Sequence, residues 1–141
     1  MDEGVFVDDE MEPDPRLNRI TNAIIGAAIE VHRALGPEHL ESAYEEGMAI
    51  EMRLRGIPFQ RQVDIELMYK GQKVGRSRID FIVEEAVVLD LKAVEQLVSV
   101  HSSQIIAYLA MTKLPLGLLI NFNVPALHHG IGRIAGRPWK P

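Results

Sequence analysis

The sequence predicts an α/β domain in which helices cover both sides of a mixed central β-sheet. Three observations predict it. Two helix-period apolar patterns open the chain, the apolar period changes to two from Phe59 onward, and a third helical pattern separates the last two extended segments. The element order is α-α-β-β-β-α-β.

The first helix is expected over residues 17–35. Asp14 followed by Pro15 has the form of an N-cap and a first-turn proline. Ile20, Ile24, Ala27, Val31 and Leu35 recur at helical spacing, and Gly36 stands in the usual stop position. The second helix is expected over residues 37–55, with Leu40, Ala43, Tyr44, Gly47, Ile50 and Leu54 as its buried stripe and Gly56 as its end. Phe59, Val63, Ile65, Leu67 and Tyr69 then alternate with Gln60, Gln62, Asp64, Glu66 and Met68, with Arg61 as a polar break in the apolar set. Lys70, Gly71 and Gln72 turn the chain into a second strand over residues 74–83. Glu84 and Glu85 turn it again into a third over residues 86–94. A third helix over residues 99–112 has Ile105, Ile106 and Leu109 on its apolar side. Residues 116–122 form a fourth strand, whose unbroken apolar character implies burial on both faces. A short final element is expected around residues 131–134.

A chain of 141 residues suits one domain, and 47% hydrophobic with 25% charged residues is ordinary for a globular one. No apolar run reaches the roughly 18 residues of a membrane span, so no membrane partner is expected. The acidic N-terminus does not read as a secretory leader. The absence of cysteine excludes disulfides, thiolate catalysis and cysteine–zinc sites, and makes a reducing cytoplasmic setting the default expectation. The net charge of −5 argues at first against a nucleic-acid partner, but its distribution reverses the argument. Asp2, Glu3, Asp8, Asp9, Glu10, Glu12 and Asp14 lie within residues 1–15, which hold no Lys or Arg; without them 13 acids stand against 15 bases. Residues 1–15 are therefore expected to be a disordered acidic tail, or an arm that competes for a basic surface, ahead of a single domain over residues 16–141.

The third strand is the anomaly. Val87, Val88, Leu89 and Leu91 call for burial, yet Asp90 and Lys92 interrupt them, two apart and so on one strand face. Asp80 interrupts the preceding strand between Ile79 and Phe81. A hairpin about Glu84 and Glu85 places Asp80 and Asp90 near one another. Buried charges are costly unless paired or bound to a metal, and two adjacent carboxylates repel until a cation relieves them. A salt bridge among these residues is the plain reading. A site for Mg²⁺ or Mn²⁺ beside a lysine is the sharper one, and it is what phosphodiester hydrolysis needs.

Asp80 followed by the triplet Asp90-Leu91-Lys92 resembles the PD-(D/E)xK nuclease signature. Four blocks narrow the resemblance: residues 40–45 (Leu-Glu-Ser-Ala-Tyr-Glu), 55–59 (Arg-Gly-Ile-Pro-Phe), 91–94 (Leu-Lys-Ala-Val) and 118–125 (Leu-Leu-Ile-Asn-Phe-Asn-Val-Pro). They are similar to the small bacterial family of GxxExxY proteins, over about residues 17–134. The resemblance implies a restriction-endonuclease-like core and a divalent-metal-dependent nuclease acting on DNA or RNA. It implies that Asp80, Asp90, Glu41 and the main-chain carbonyl of Leu91 hold the metal and that Lys92 is catalytic. Gln104 and Tyr108 match a Q-x-x-x-Y element that holds substrate and lysine. Two positions depart from the family pattern: Glu38 replaces the first glycine of the name motif, and Asp90 stands where glutamate is more usual.

Arg53, Arg55, Arg61, Lys73, Arg76 and Arg78 cluster around these elements. They read either as a solvated rim or as phosphate contacts, with Arg78, Arg76 and Lys73 the chosen nucleic-acid-binding residues. His101 precedes Gln104 by one turn and either faces the same site or caps the helix. His32, His39, His128 and His129 are expected at the surface, and Trp139 in packing. No phosphate-binding glycine loop, dinucleotide fingerprint or serine-hydrolase elbow is present. The competing class is a catalytically silent nucleic-acid-binding or oligomeric scaffold module with the same fold, and a homo-oligomer suits a domain of this size.

Overall fold

The computed structural model describes residues 14–136; the acidic segment before Asp14 and Trp139 lie outside the described residues. The order is α1 (Pro15–Leu35), α2 (Glu41–Leu54), β1 (Phe59–Tyr69), β2 (Gln72–Val83), β3 (Val87–Lys92), α3 (Ser99–Thr112), β4 (Leu116–Asn121), a 3-10 turn (Leu127–Gly130) and β5 (Ile131–Ala135). One five-stranded sheet runs β1-β2-β3-β4-β5. Its pairs are antiparallel except β3 with β4, which are parallel and joined through α3. α1 and α2 pack on one face and α3 on the other, so the sheet lies between two apolar clusters.

Local chemistry sets the element ends. The Asp14 carboxylate accepts from the amides of Arg16 at 2.8 Å and Leu17 at 3.4 Å, and Pro15 occupies a first-turn position where no donor is needed. Gly117 lets α3 settle on β4, since a Cβ there would stand 2.3 Å from Ile105 Cγ2. All six residues of β4 are buried, as its continuous apolar run predicts.

Five expectations need correction. The second helix begins at Glu41, not at residue 37, because Gly36 and Glu38 take left-handed φ values of 72° and 73°. The intervening turn is tied down instead: Tyr44 Oη donates to Gly36 O at 2.6 Å and accepts from His39 N at 3.2 Å, and Asn123 Oδ1 accepts from Glu38 N at 3.0 Å. The buried stripe of α2 is Tyr44, Met48, Ala49 and Met52, whereas Leu40, Ile50 and Leu54 are exposed. Both stripes are apolar; the buried one faces the sheet side, where Tyr44 stacks on Phe122, and of the expected one Gly47 keeps a close contact with Val31 of α1. Finally, the last element is a fifth strand. On α3 the exposed Ile106 gives way to Tyr108 as a core residue. His32 is half-buried rather than exposed, with Nε2 2.7 Å from Val124 O.

The sheet opens at one point. The β1–β2 ladder runs to the tip at Tyr69 and Gln72, but β2 pairs with β3 only from Val83 back to Phe81. Beyond that, Asp90, Leu91 and Lys92 pair with β4 alone. Ile79 packs in the cluster under α3 and Phe81 in the cluster under α1 and α2, so β2 changes its inward side at Asp80. Opposite it, Gln62 has φ 54°, and the register passes from Arg61–Phe81 to Val63–Ile79.

Candidate active site at the strand fork

The fork gathers the charges that interrupt the two apolar strands. Asp80 reaches across it: its Oδ2 accepts from the Leu91 amide at 2.9 Å, replacing the lost ladder bond. An N–H and C=O of one strand residue point to the same neighbour. The Leu91 carbonyl is therefore turned toward the opening between β2 and β3. Lys92 Nζ lies 3.0 Å from Asp90 Oδ2 and donates to Gln104 Oε1 at 3.1 Å. Asp90 is only 3% exposed, and the Lys92 and Asp80 side chains both lie against its carboxyl.

Electrostatics at the fork are those of too few positive charges. Burial pushes Asp80 up to about 7, against the Leu91 amide, and the neighbouring Asp90 and Glu45 add to the rise. Burial also raises Asp90, opposed by Lys92. Burial disfavours the Lys92 ammonium, but Asp90, Glu41 and Asp80 together hold it above its ordinary value. Glu41, at the start of α2, is raised by burial and by Asp80 and lowered by Lys92, which places its charge within reach of both. Tyr108 is raised by burial first, then by Asp90. The structure thus brings Glu41, Asp80, Asp90, Lys92, Gln104 and Tyr108 into one electrostatic neighbourhood. Among the described residues, no three His, Asp or Glu side chains already surround one point as a formed metal site.

Arg78, Arg76 and Lys73 lie on the exposed hairpin, beside acids of β1. Arg78 Nε is 2.9 Å from Asp64 Oδ1, Lys73 Nζ is 3.5 Å from Glu66 Oε1, and Arg76 lies opposite Glu66 in the register. Arg61 bridges to Glu45 and Glu46 on α2. Tyr44 serves the turn before α2 and stacks on Phe122 with ring centroids 4.5 Å apart. His101 is half-buried, and its Nδ1 accepts from Val98 N at 3.0 Å.

Two neighbours escape a reading of the sequence. Glu45 follows Glu41 by one turn, and that spacing is a usable signal. Asn121 is 2% exposed in β4 opposite Lys92; its side chain binds the amide and carbonyl of Val94 at 3.1 and 2.9 Å, fixing the chain that leaves Lys92. A polar residue between Ile120 and Phe122, at the end of an apolar run, is the signal for it.

Fold and site together define an α/β domain with a restriction-endonuclease-like core, in which two acids and a lysine meet where two strands part. The chain belongs to the PD-(D/E)XK nuclease superfamily, whose model matches residues 18–134. No curated protein and no solved structure matches it.

Proposed function

We propose that the protein is a divalent-metal-dependent nuclease of the GxxExxY type that hydrolyses phosphodiester bonds of DNA or RNA at the β2–β3 fork. One observation carries the reading: the buried carboxyls of Asp80 and Asp90 lie against one another at the fork, with one lysine, 3.0 Å from Asp90 Oδ2, to offset their charge. Two adjacent buried carboxyls that can ionise together only at a cost suit a hard cation, which takes the place of the proton between them. Asp80, Asp90, Glu41 and the Leu91 carbonyl are the residues that would hold Mg²⁺ or Mn²⁺. Such an ion, when bound, stabilises charge on the phosphate and lowers the pKa of a coordinated water.

The protein's own groups supply the rest. Lys92, held above its ordinary pKa and anchored by Asp90 and Gln104, stays an ammonium at neutral pH. Its role is to offset negative charge in the transition state rather than to remove a proton. Gln104 fixes the lysine, and Tyr108 closes the apolar side of the site. The likeness to GxxExxY proteins also gives a meaning to residue 38: that family's glycine falls where the backbone is left-handed, and Glu38 holds the same φ with a side chain attached.

The silent-module reading is favoured by one observation, that no preformed three-ligand cluster stands among the described residues. Labelled DNAs and RNAs incubated with Mg²⁺, Mn²⁺ or EDTA separate the two. Metal-dependent cutting that Asp80→Ala and Lys92→Ala both abolish is the expected result. A folded protein that cuts nothing with either metal sinks the nuclease reading.

A further inference from the structure

His101 is a polar group near the fork that the proposed chemistry does not use. It lies on α3 with Gln104 and Tyr108, spaced i, i+3 and i+7, so the three share one side of the helix. The order along that side is informative. The Tyr108 hydroxyl senses Asp90, Lys92 and Asp80. Gln104 holds the Lys92 ammonium. His101 stands about 4.5 Å further along the axis, on the far side of Gln104 from the acids. It still lies within reach of the Lys92 charge, which together with burial lowers its pKa.

Its ring is also fixed. Nδ1 accepts from Val98 N, so in the neutral ring the proton is on Nε2, and Nε2–H is a donor not used by the cap. The cap alone does not account for a histidine. The usual side chain at this position, one turn inside the helix, is Glu or Gln reaching back to the same amide. A carboxylate here would add a negative charge beside a site already short of positive ones. Histidine provides the acceptor without that charge and leaves a second nitrogen over.

We propose that His101 is a substrate-binding residue: its Nε2–H donates to a non-bridging oxygen of the phosphate adjacent to the one attacked, as the nucleic-acid strand runs along α3 past Lys92. This rests on the nuclease reading for the identity of the ligand. It assigns to α3 the direction of the bound strand, with the attacked phosphate at Lys92 and its neighbour at His101.

Three variants of the full chain separate contact from cap. His101→Asn keeps an acceptor where Nδ1 sits and loses the distal donor. His101→Gln keeps the cap through the side chain usual here and leaves a shorter-reaching amide N–H as the only donor. His101→Glu keeps the cap and adds charge. The measurements are thermal melting, affinity for a fluorescein-labelled oligonucleotide with Ca²⁺ at about pH 8, and KM and kcat with Mg²⁺ on the same oligonucleotide. The Asn variant is expected to keep the wild-type melting temperature and kcat while affinity falls and KM rises about tenfold, the worth of one hydrogen bond to a charged oxygen. Because the imidazole is neutral, the slope of log affinity against log salt stays unchanged. Gln is expected to melt normally and to bind between Asn and wild type, and Glu to melt normally but bind more weakly than Asn. Wild-type affinity in the Asn variant, or losses that follow the melting temperature across all three, overturns the proposal and leaves His101 a cap. Wild-type protein that binds oligonucleotide without cutting it removes the nuclease reading while the Asn affinity still decides His101. Protein that does not bind at all removes both.

Discussion

Two groups of acids and bases lie next to one another on β2 and behave in opposite ways. On the exposed hairpin, the Arg78 guanidinium holds the Asp64 carboxyl below its ordinary value. Two residues further along the same strand, burial drives Asp80 up to about 7. The residue types are the same, and Lys92 sits as close to Asp90 as Arg78 does to Asp64. Water makes the difference. An exposed pair is solvated whether or not it forms and is worth about 0–1 kcal/mol. At the fork, one lysine faces Asp80, Asp90 and Glu41, and what burial takes from the carboxylates the single ammonium does not return. The hairpin pairs are therefore electrically complete, whereas the fork is complete only when more positive charge arrives.

The largest test of that contrast removes the lysine. With the nuclease reading, Lys92→Ala should lower kcat by about 10²–10³-fold or more, since a positive charge placed against the transition state is lost. Arg78→Ala, made in parallel, should leave kcat within a few-fold of wild type. Equal losses in both would mean that the fork is no more special than the hairpin.

A second test uses pH, where the two regions carry opposite signs. Asp80 has a folded pKa of about 7 against an ordinary 3.8. Between those values the folded protein keeps a proton that the unfolded chain releases, so the metal-free protein should lose stability as pH rises through that window. Asp64, with its lowered pKa, stabilises the fold above its ordinary 3.8 and loses that contribution as pH falls through its folded value. Melting in EDTA should therefore decline from about pH 4 toward pH 7, and Asp80→Asn should flatten the decline while Asp64→Asn leaves it in place. Added Mg²⁺ should raise the melting temperature more at about pH 8 than at about pH 5, because binding displaces the proton. A metal shift independent of pH would separate metal binding from Asp80.

Much of this arrangement was legible in the sequence because it rests on periodicity. The hairpin, α3 and the buried β4 follow from patterns of two and 3.6, and Asp80, Asp90 and Lys92 stood out as charges inside apolar strands. What was not legible depends on tertiary contact. The apolar stripe Leu40–Gly47–Leu54 competes on α2 with Tyr44, Met48 and Met52, and only packing against the rest of the core decides. β5 is a five-residue run too short to show a period. The turn of β2 at Asp80, which sends Ile79 and Phe81 to different clusters, is a twist that alternation along one strand does not encode. Glu38 makes the same point for the backbone: nothing in a glutamate announces φ 73°. Glu38→Gly should stabilise the protein by roughly 0.5–1 kcal/mol, the relief of the left-handed strain less the entropy glycine adds to the unfolded chain. A urea midpoint that does not rise would show that the Asn123 bond to the Glu38 amide, rather than the side chain, governs this turn.

The smallest effect sharpens the contrast from the hairpin side. Arg78→Ala removes an ion pair whose two partners are each more than half exposed, so its cost in stability should stay below about 0.5 kcal/mol. Its effect on nucleic-acid binding distinguishes the two uses of a surface arginine. If Arg78 serves Asp64 alone, affinity and its salt dependence are unchanged. If it leaves Asp64 for a phosphate, affinity falls alike for every sequence and the salt slope drops by about one. Asp64→Ala then decides further, since freeing Arg78 should strengthen binding in the second case and do nothing in the first. An exposed pair can exchange its partner at little cost, which the buried cluster two residues away cannot do without leaving a carboxylate unpaired. That asymmetry suits the hairpin to reading an extended polyanion and the fork to acting on one bond of it.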